Sequence, residues 1–268
     1  MPILPTLFIS HGTPMHALAA GEPGKAWRAM ADALPRPAAV LMVSAHWESA
    51  LAMVGGARTP QTIHDFGGFP PALYRLRYPA PGAPDLARRV VALLEAGGIG
   101  AAVDGLRGLD HGAWSPLLHM YPQADVPVLQ LSVQPPLGAA HHLALGRALH
   151  TLGAEGVLVI GSGHATHNLR DWVSGPRDAA PLSYARAFAD WMHACLRDGD
   201  SASLVDWRSR APFASQAHPS DEHYLPLLVA YGAAGEDCRS TRFVDCFDGP
   251  ALAMDAYRFD PATDGAPG

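Results

Sequence analysis

The chain has 268 residues, with 19 Lys+Arg against 25 Asp+Glu for a formal charge of −6; 49% of its residues are hydrophobic and 16% are charged. Charged residues usually make up ~25%, so the composition supports a sizeable core and excludes a disordered chain. With no basic stripe or cluster, it offers nucleic acid and anionic membrane no electrostatic footing. No apolar run approaches the ~18 residues needed to cross a bilayer.

The start, Met1-Pro-Ile-Leu-Pro, lacks the basic opening and long apolar segment of a signal peptide. A first predicted strand, Leu4–Ser10, ends at His11 in Ser10-His-Gly-Thr-Pro14. Helical periodicity at Lys25–Leu34 leads to the apolar run Ala38–Ala45, which stops at His46 in Ser44-Ala-His-Trp47. Leu51–Gly55 reads as a third strand. Thr59–Gly82 then carries five prolines and three glycines, interleaved with Phe66, Phe69, Tyr74 and Tyr78. A stretch of this size is more often functional than idle; it either walls a pocket with aromatic surface or packs on itself. Arg58, Arg75 and Arg77 beside it are candidate partners for a substrate carboxylate, or simply solvated charges.

Pro84–Ala96 reads as a helix. In Leu109-Asp-His-Gly-Ala-Trp-Ser-Pro116, Asp110 and His111 offer a polar pair on a loop, suited to an acid or base, before a short helix at Pro116–Tyr121. The strand Val126–Val133 and the helix Gly138–Leu152 follow. The strand Gly156–Gly161 then runs into Ser162-Gly-His164-Ala-Thr-His167-Asn168, a glycine-rich turn. It is neither a phosphate loop nor a hydrolase nucleophile elbow, because the spacing of both motifs is absent. After helical patterns at Leu182–Arg197 and Ala202–Ser209 comes His218-Pro-Ser-Asp-Glu222-His223, opening a helix at His223–Tyr231 with Ser220 or Asp221 as cap. A strand at Thr241–Phe247 precedes a tail at Asp260–Gly268, leaving residues 1–259 as one domain.

Strands alternating with helices predict an α/β single domain, with a central, mostly parallel or mixed β-sheet flanked by helices. Ligands in such sheets bind at the carboxyl ends of the strands, so the active site belongs there. Histidines at several strand ends converge in space, and converging imidazoles most simply mean a metal site. The remaining histidines sort differently. His141, His142, His150 and His193 lie in helical patterns, His119 is structural, and His16 and His64 are loop residues without informative spacing. Cys195, Cys238 and Cys246 are odd in number and lack CxxC spacing; they read as small apolar residues of a reduced, cytoplasmic protein.

Taken together, the motifs around His11, His46, His64–Pro70, Asp110–Trp114, Gly161–Asn168 and His218–His223 resemble the class III extradiol ring-cleaving dioxygenases, specifically the 4,5-DOPA extradiol dioxygenase-like group. The set is spread in the family's order over residues 7–230. The resemblance implies that His11, His46 and His223 are metal ligands and His111 is an acid/base histidine. It makes His167 a base, or the fourth ligand of a zinc-loaded site. The wider class uses a glutamate as third ligand, so Glu222 stands as the alternative to His223. The family commonly has another residue where His164 sits.

By that resemblance the protein is a non-haem metal-dependent dioxygenase. It would open a DOPA- or caffeate-like catechol with O₂ to a semialdehyde, using Fe(II), with Zn(II) as the other metal it could carry. A zinc hydrolase that lowers the pKa of a bound water and a non-catalytic metal-binding protein on the same scaffold are the competing readings. The substrate's substituent and the oligomeric state stay open at this level.

Overall fold

In the computed structural model, which describes residues 3–262 except 177 and 236, successive residues of the central strands are buried in two different cores. In β1 (Thr6–Ser10), Leu7 and Ile9 pack into one core and Phe8 into the other. In β2 (Ala39–Glu48), Val40 and Met42 face the first core while Leu41 and Val43 face the second. Both faces are covered by helices, which explains the unbroken apolar runs where a half-exposed strand would alternate. One layer holds the helices Gly21–Ala33 and His111–Met120; the other holds Pro84–Ala96, Gly138–Ala148, Ser183–Asp198 and Leu225–Ala233.

The remaining strands are β3 (Ala52–Gly55), β4 (Ala101–Asp104), β5 (Val128–Val133), β6 (Val157–Gly163), β7 (Arg239–Val244), β8 (Phe247–Asp248), β9 (Leu252–Ala253) and β10 (Ala256–Asp260). The main sheet runs β4-β3-β5-β2-β6-β1-β10-β7, and β8 pairs with β9 separately. The centre β5-β2-β6-β1 is parallel, whereas β10 and β7 join antiparallel at one side and β3 pairs antiparallel with β5. The α/β fold with a mixed sheet is therefore the one expected. No helix among the described residues is long and apolar enough to cross a membrane.

Several boundaries differ from the sequence reading. β2 runs through His46 to Glu48, with an irregular register against β5 between Val43 and Glu48. The Gly161-Ser-Gly163 segment is the end of β6 rather than a turn after it. The helix expected at Pro116–Tyr121 starts at His111. His223 lies on a turn before the helix Leu225–Ala233, not on its first turn. Asp260 is the last residue of β10, paired with Arg239, so the expected tail overlaps the sheet by one residue; residues 263–268 lie outside the described ones.

The two glycines of Gly-Ser-Gly have a packing reason. A Cβ on Gly161 would overlap the carbonyl oxygen of Pro226, and one on Gly163 that of His223. Their bare backbone lets the His223 turn sit directly on β6, where the His164 amide donates to the His223 carbonyl at 2.9 Å. Gly163→Ala is thus expected to lower stability by more than the ~1–3 kcal/mol typical of overpacking, because the obstacle is backbone. Thermal unfolding checks this beside Gly105→Ala, whose Cβ meets nothing within 4 Å; equal midpoints for the two variants would refute it.

Candidate active site

The order β2-β6-β1 puts three carboxyl ends side by side, with Ser44 opposite Ser162 on β6 and Ser10 opposite Gly163. His11 follows β1 directly, His46 lies on the irregular end of β2, and His223 comes down from the turn seated on β6. Nε2 of His46 stands 3.0 Å from Nε2 of His11 and 3.3 Å from Nε2 of His223.

The other nitrogen of each ring decides what these three atoms carry. Ser162 gives its hydroxyl hydrogen to the Gly112 carbonyl at 2.5 Å, so its oxygen accepts from Nδ1 of His11 at 2.9 Å. That carbonyl is open because residue 116, which would supply the regular helical N–H four residues on, is a proline within the helix. Nδ1 of His223 donates to Glu222 at 2.9 Å, and Nδ1 of His46 faces Asp65 at 3.5 Å. With every Nδ1 directed at an acceptor, all three Nε2 atoms are left as bare lone pairs. Three lone pairs at such separations repel one another unless a cation lies among them, so the donor set fits a metal ion. Glu222, weighed as a ligand itself, instead directs its carboxylate at the back of the His223 ring, the outer-partner arrangement usual for ligating histidines.

Around this set stand the other histidines. His111 gives its Nδ1 hydrogen to Asp65 Oδ2 at 2.8 Å and its backbone N–H to Asp65 Oδ1 at 2.9 Å. Its partner is therefore Asp65 and not Asp110. Asp110 is fully buried and accepts from Ser44, Gln130 and Arg107, which tie the start of the His111 helix to β2 and β5. His167 stacks on His223 with ring centroids 3.5 Å apart. It groups with Glu222 and His223 rather than with His11 and His46. His164 is buried edge-on to His11 and donates from Nε2 to the Gly12 carbonyl at 3.2 Å, holding the turn after β1.

Burial, reinforced by the neighbouring imidazoles, pushes His11 and His223 well below the ordinary histidine pKa, His46 to about 4 and His167 to about 3. All four rings are neutral at neutral pH, the state that ligation and proton acceptance both need. Burial would raise the Asp65 carboxyl, but the hydrogen bond and charge of His111 outweigh it and hold it at about 2.

Outside the site, burial lowers His142 and His218 to about 4 each. The unfolded chain takes up protons below ~6.5 that these native rings refuse until ~4, so stability is lost as pH falls across that window. At pH 5 the loss is on the order of 2 kcal/mol for each ring. The four lowered rings of the metal-free site add to the same loss, so the thermal midpoint of the metal-free protein should fall by at least ~10 °C from pH 7 to pH 5. A flat profile across that range would show that these buried rings titrate normally.

The histidines form one end of a cavity of about 200 Å³; Phe66, Phe69, Trp172, Leu169, Leu252 and Pro14 form much of the remaining wall. The proline- and glycine-rich segment thus walls the pocket, with Phe66 edge-on to His111 at 5.6 Å. Asp65, Ser162 and Trp172 went unassigned in the sequence reading. Asp65 had a local signal, a lone acid beside His64 in the aromatic loop, whereas Ser162 and Trp172 had none.

The chain is similar throughout its length to known ring-opening dioxygenases. A family model described as the catalytic LigB subunit of aromatic ring-opening dioxygenase matches residues 5–246. The chain is 44% identical to a 4,5-DOPA dioxygenase extradiol of Beta vulgaris over 95% of this chain and 96% of that one. It is 42% identical to the Escherichia coli protein of the same name, covering 86% and 85%. A crystal structure of an uncharacterised Escherichia coli protein superposes with a TM-score of 0.80 at 33% identity, covering 95% of this chain and 99% of that one.

Proposed function

This chain belongs to the family of catalytic LigB subunits of aromatic ring-opening dioxygenases and is an extradiol ring-cleavage enzyme, and from that premise we propose that it opens a catechol beside its diol, with O₂ as co-substrate, at the His11, His46 and His223 centre. The observation that carries the assignment of the centre is the convergence of three bare Nε2 atoms, each ring fixed from behind by Ser162, Asp65 or Glu222. Such an all-nitrogen set suits Fe(II) as well as Zn(II), and Fe(II) is the metal we assign for activity. When bound, it would supply the redox chemistry that joins a catechol to O₂. A zinc hydrolase or a non-catalytic metal protein does not follow from this family.

The chain's own residues handle protons and position. His167, neutral and stacked on His223, takes a phenolic proton as the catechol binds. His111 lines the cavity with Nδ1 held by Asp65, so its Nε2 carries the lone pair that takes up a proton and returns it during ring opening. Phe66 packs against His111 and presents an aromatic face to the substrate ring. The three cysteines are free and have no part in the site; a reduced, cytoplasmic setting suits them.

The test is anaerobic loading with Fe(II) followed by O₂ uptake with a panel of catechols. Oxygen consumption matched by a yellow ring-opened semialdehyde is the expected result. No uptake with Fe(II) demonstrably bound would overturn the assignment.

A further inference from the structure

His218 is fully buried, and its ring lies among Phe188, Trp207 and Tyr224 with centroids 5.2, 5.5 and 5.7 Å away. Its Nε2 donates to the Ala165 carbonyl at 2.9 Å, whereas its Nδ1 has no hydrogen-bond partner among the described residues. An aromatic surround of this kind is filled more favourably by an apolar side chain than by an imidazole with an unpaired nitrogen. Packing therefore does not account for a histidine here; the one bond it makes does. Ala165 is itself wholly buried, two residues before His167, so its carbonyl depends on that donor. The neighbouring Ala217 accepts from the His167 amide at 2.8 Å. Residues 217 and 218 thus grip the segment on either side of Thr166. From the other direction, Thr166 gives its hydroxyl to the Ala251 carbonyl and accepts from the Ala253 amide, both at 2.8 Å. At the far end of the same turn the His223 carbonyl accepts from the His164 amide. The two segments are therefore clasped at both ends, which sets the 3.5 Å stack of His167 on His223. Without the Ala165 bond the segment can pivot about the His167 amide and carry the ring off that face.

We infer that His218 is a positioning residue for the reaction: resting on the ring-opening reading, it holds His167 where that ring accepts the phenolic proton of the arriving catechol. The test is calorimetric titration of catechol into the Fe(II)-loaded protein under nitrogen, which needs no turnover, with changes at 218 made in the parent and in a His167→Ala background. His218→Met fills the aromatic surround without a donor and should weaken catechol binding roughly fivefold with Fe(II) content unchanged. His218→Gln, whose amide nitrogen reaches the place of Nε2, should restore binding to within about twofold of the parent. His167→Ala has already lost the proton acceptor. In that background His218→Met should change binding by less than about twofold, because its effect passes through the missing ring. Equal weakening in both backgrounds, or a Gln variant as weak as Met, overturns the inference. Should His218→Met show no cooperative melt, His218→Asn, whose shorter amide reaches only the place of Nδ1, takes its position in the cycle. A failure of O₂ uptake after Fe(II) loading would count against the ring-opening reading and would leave this binding cycle to be judged on its own.

Discussion

His46→Ala should remove metal and turnover together. His46 is the hub of the three-nitrogen set, with its Nε2 within 3.3 Å of both partners, so its loss leaves two nitrogens that no longer enclose a cation. Removing an outer hydrogen-bond partner of a metal ligand typically weakens metal binding ~10–100-fold. That is the expected size for Glu222→Gln, which keeps the His223 ring but loses the charge behind it. His46→Ala should exceed it and leave no metal after gel filtration. The side chain is 23% exposed, so truncation opens no closed core cavity, and the metal-free variant should unfold near the metal-free parent. Metal content measured by plasma emission beside a thermal melt decides the matter. Metal retained at the parent's affinity would make the ligand assignment wrong.

His111→Ala should separate what His46→Ala loses together, slowing turnover by about 10²–10⁴-fold with the metal kept. The prediction rests on the direction of the ring: Nδ1 and the backbone N–H of His111 both go to Asp65, leaving Nε2 for the substrate. Asp65→Asn refines the test. An amide facing Nδ1 can donate where the carboxylate only accepted, which moves the ring hydrogen to Nε2 and turns a proton acceptor into a donor. Because Asp65 also stands behind His46, the variant should bind metal more weakly as well; once metal-loaded, its turnover should fall less than that of His111→Ala and should show a changed pH dependence. A His111→Ala protein that lost its metal would place this ring in the ligand set instead.

The parts of this architecture that were legible in the sequence are those carried by one-dimensional patterns. The runs ending at His11 and His46 announce doubly covered strands, and parallel neighbours bring their carboxyl ends together, so the convergence of these imidazoles could be foreseen. β10 could not: Ala256-Tyr-Arg-Phe-Asp260 is short, mixes charge with aromatics, and becomes a strand by pairing with β1 and β7. The helix start at His111 was hidden for a similar reason, since Asp110 fixes it through Ser44 and Gln130, 66 and 20 residues away. Pairing of Asp65 with His111 spans 46 residues, with two helices and a strand between them, and no spacing rule reaches that far. Glu222 was visible, but adjacency to His223 does not say whether it faces a metal or the back of an imidazole.

Pro116 gives the centre a dependence on a residue that touches no reacting atom. An alanine there would restore the helix's missing amide, and the Gly112 carbonyl would turn to it. Ser162 would then be free to rotate, offering its hydrogen to His11 as readily as accepting one. The imidazole would be divided between two tautomers, one of them carrying hydrogen on the nitrogen that the centre needs bare. A local flaw in a helix thus acts as the selector of a protonation isomer one hydrogen-bond chain away, and a change that makes the helix more regular would make the enzyme a mixture of competent and incompetent molecules.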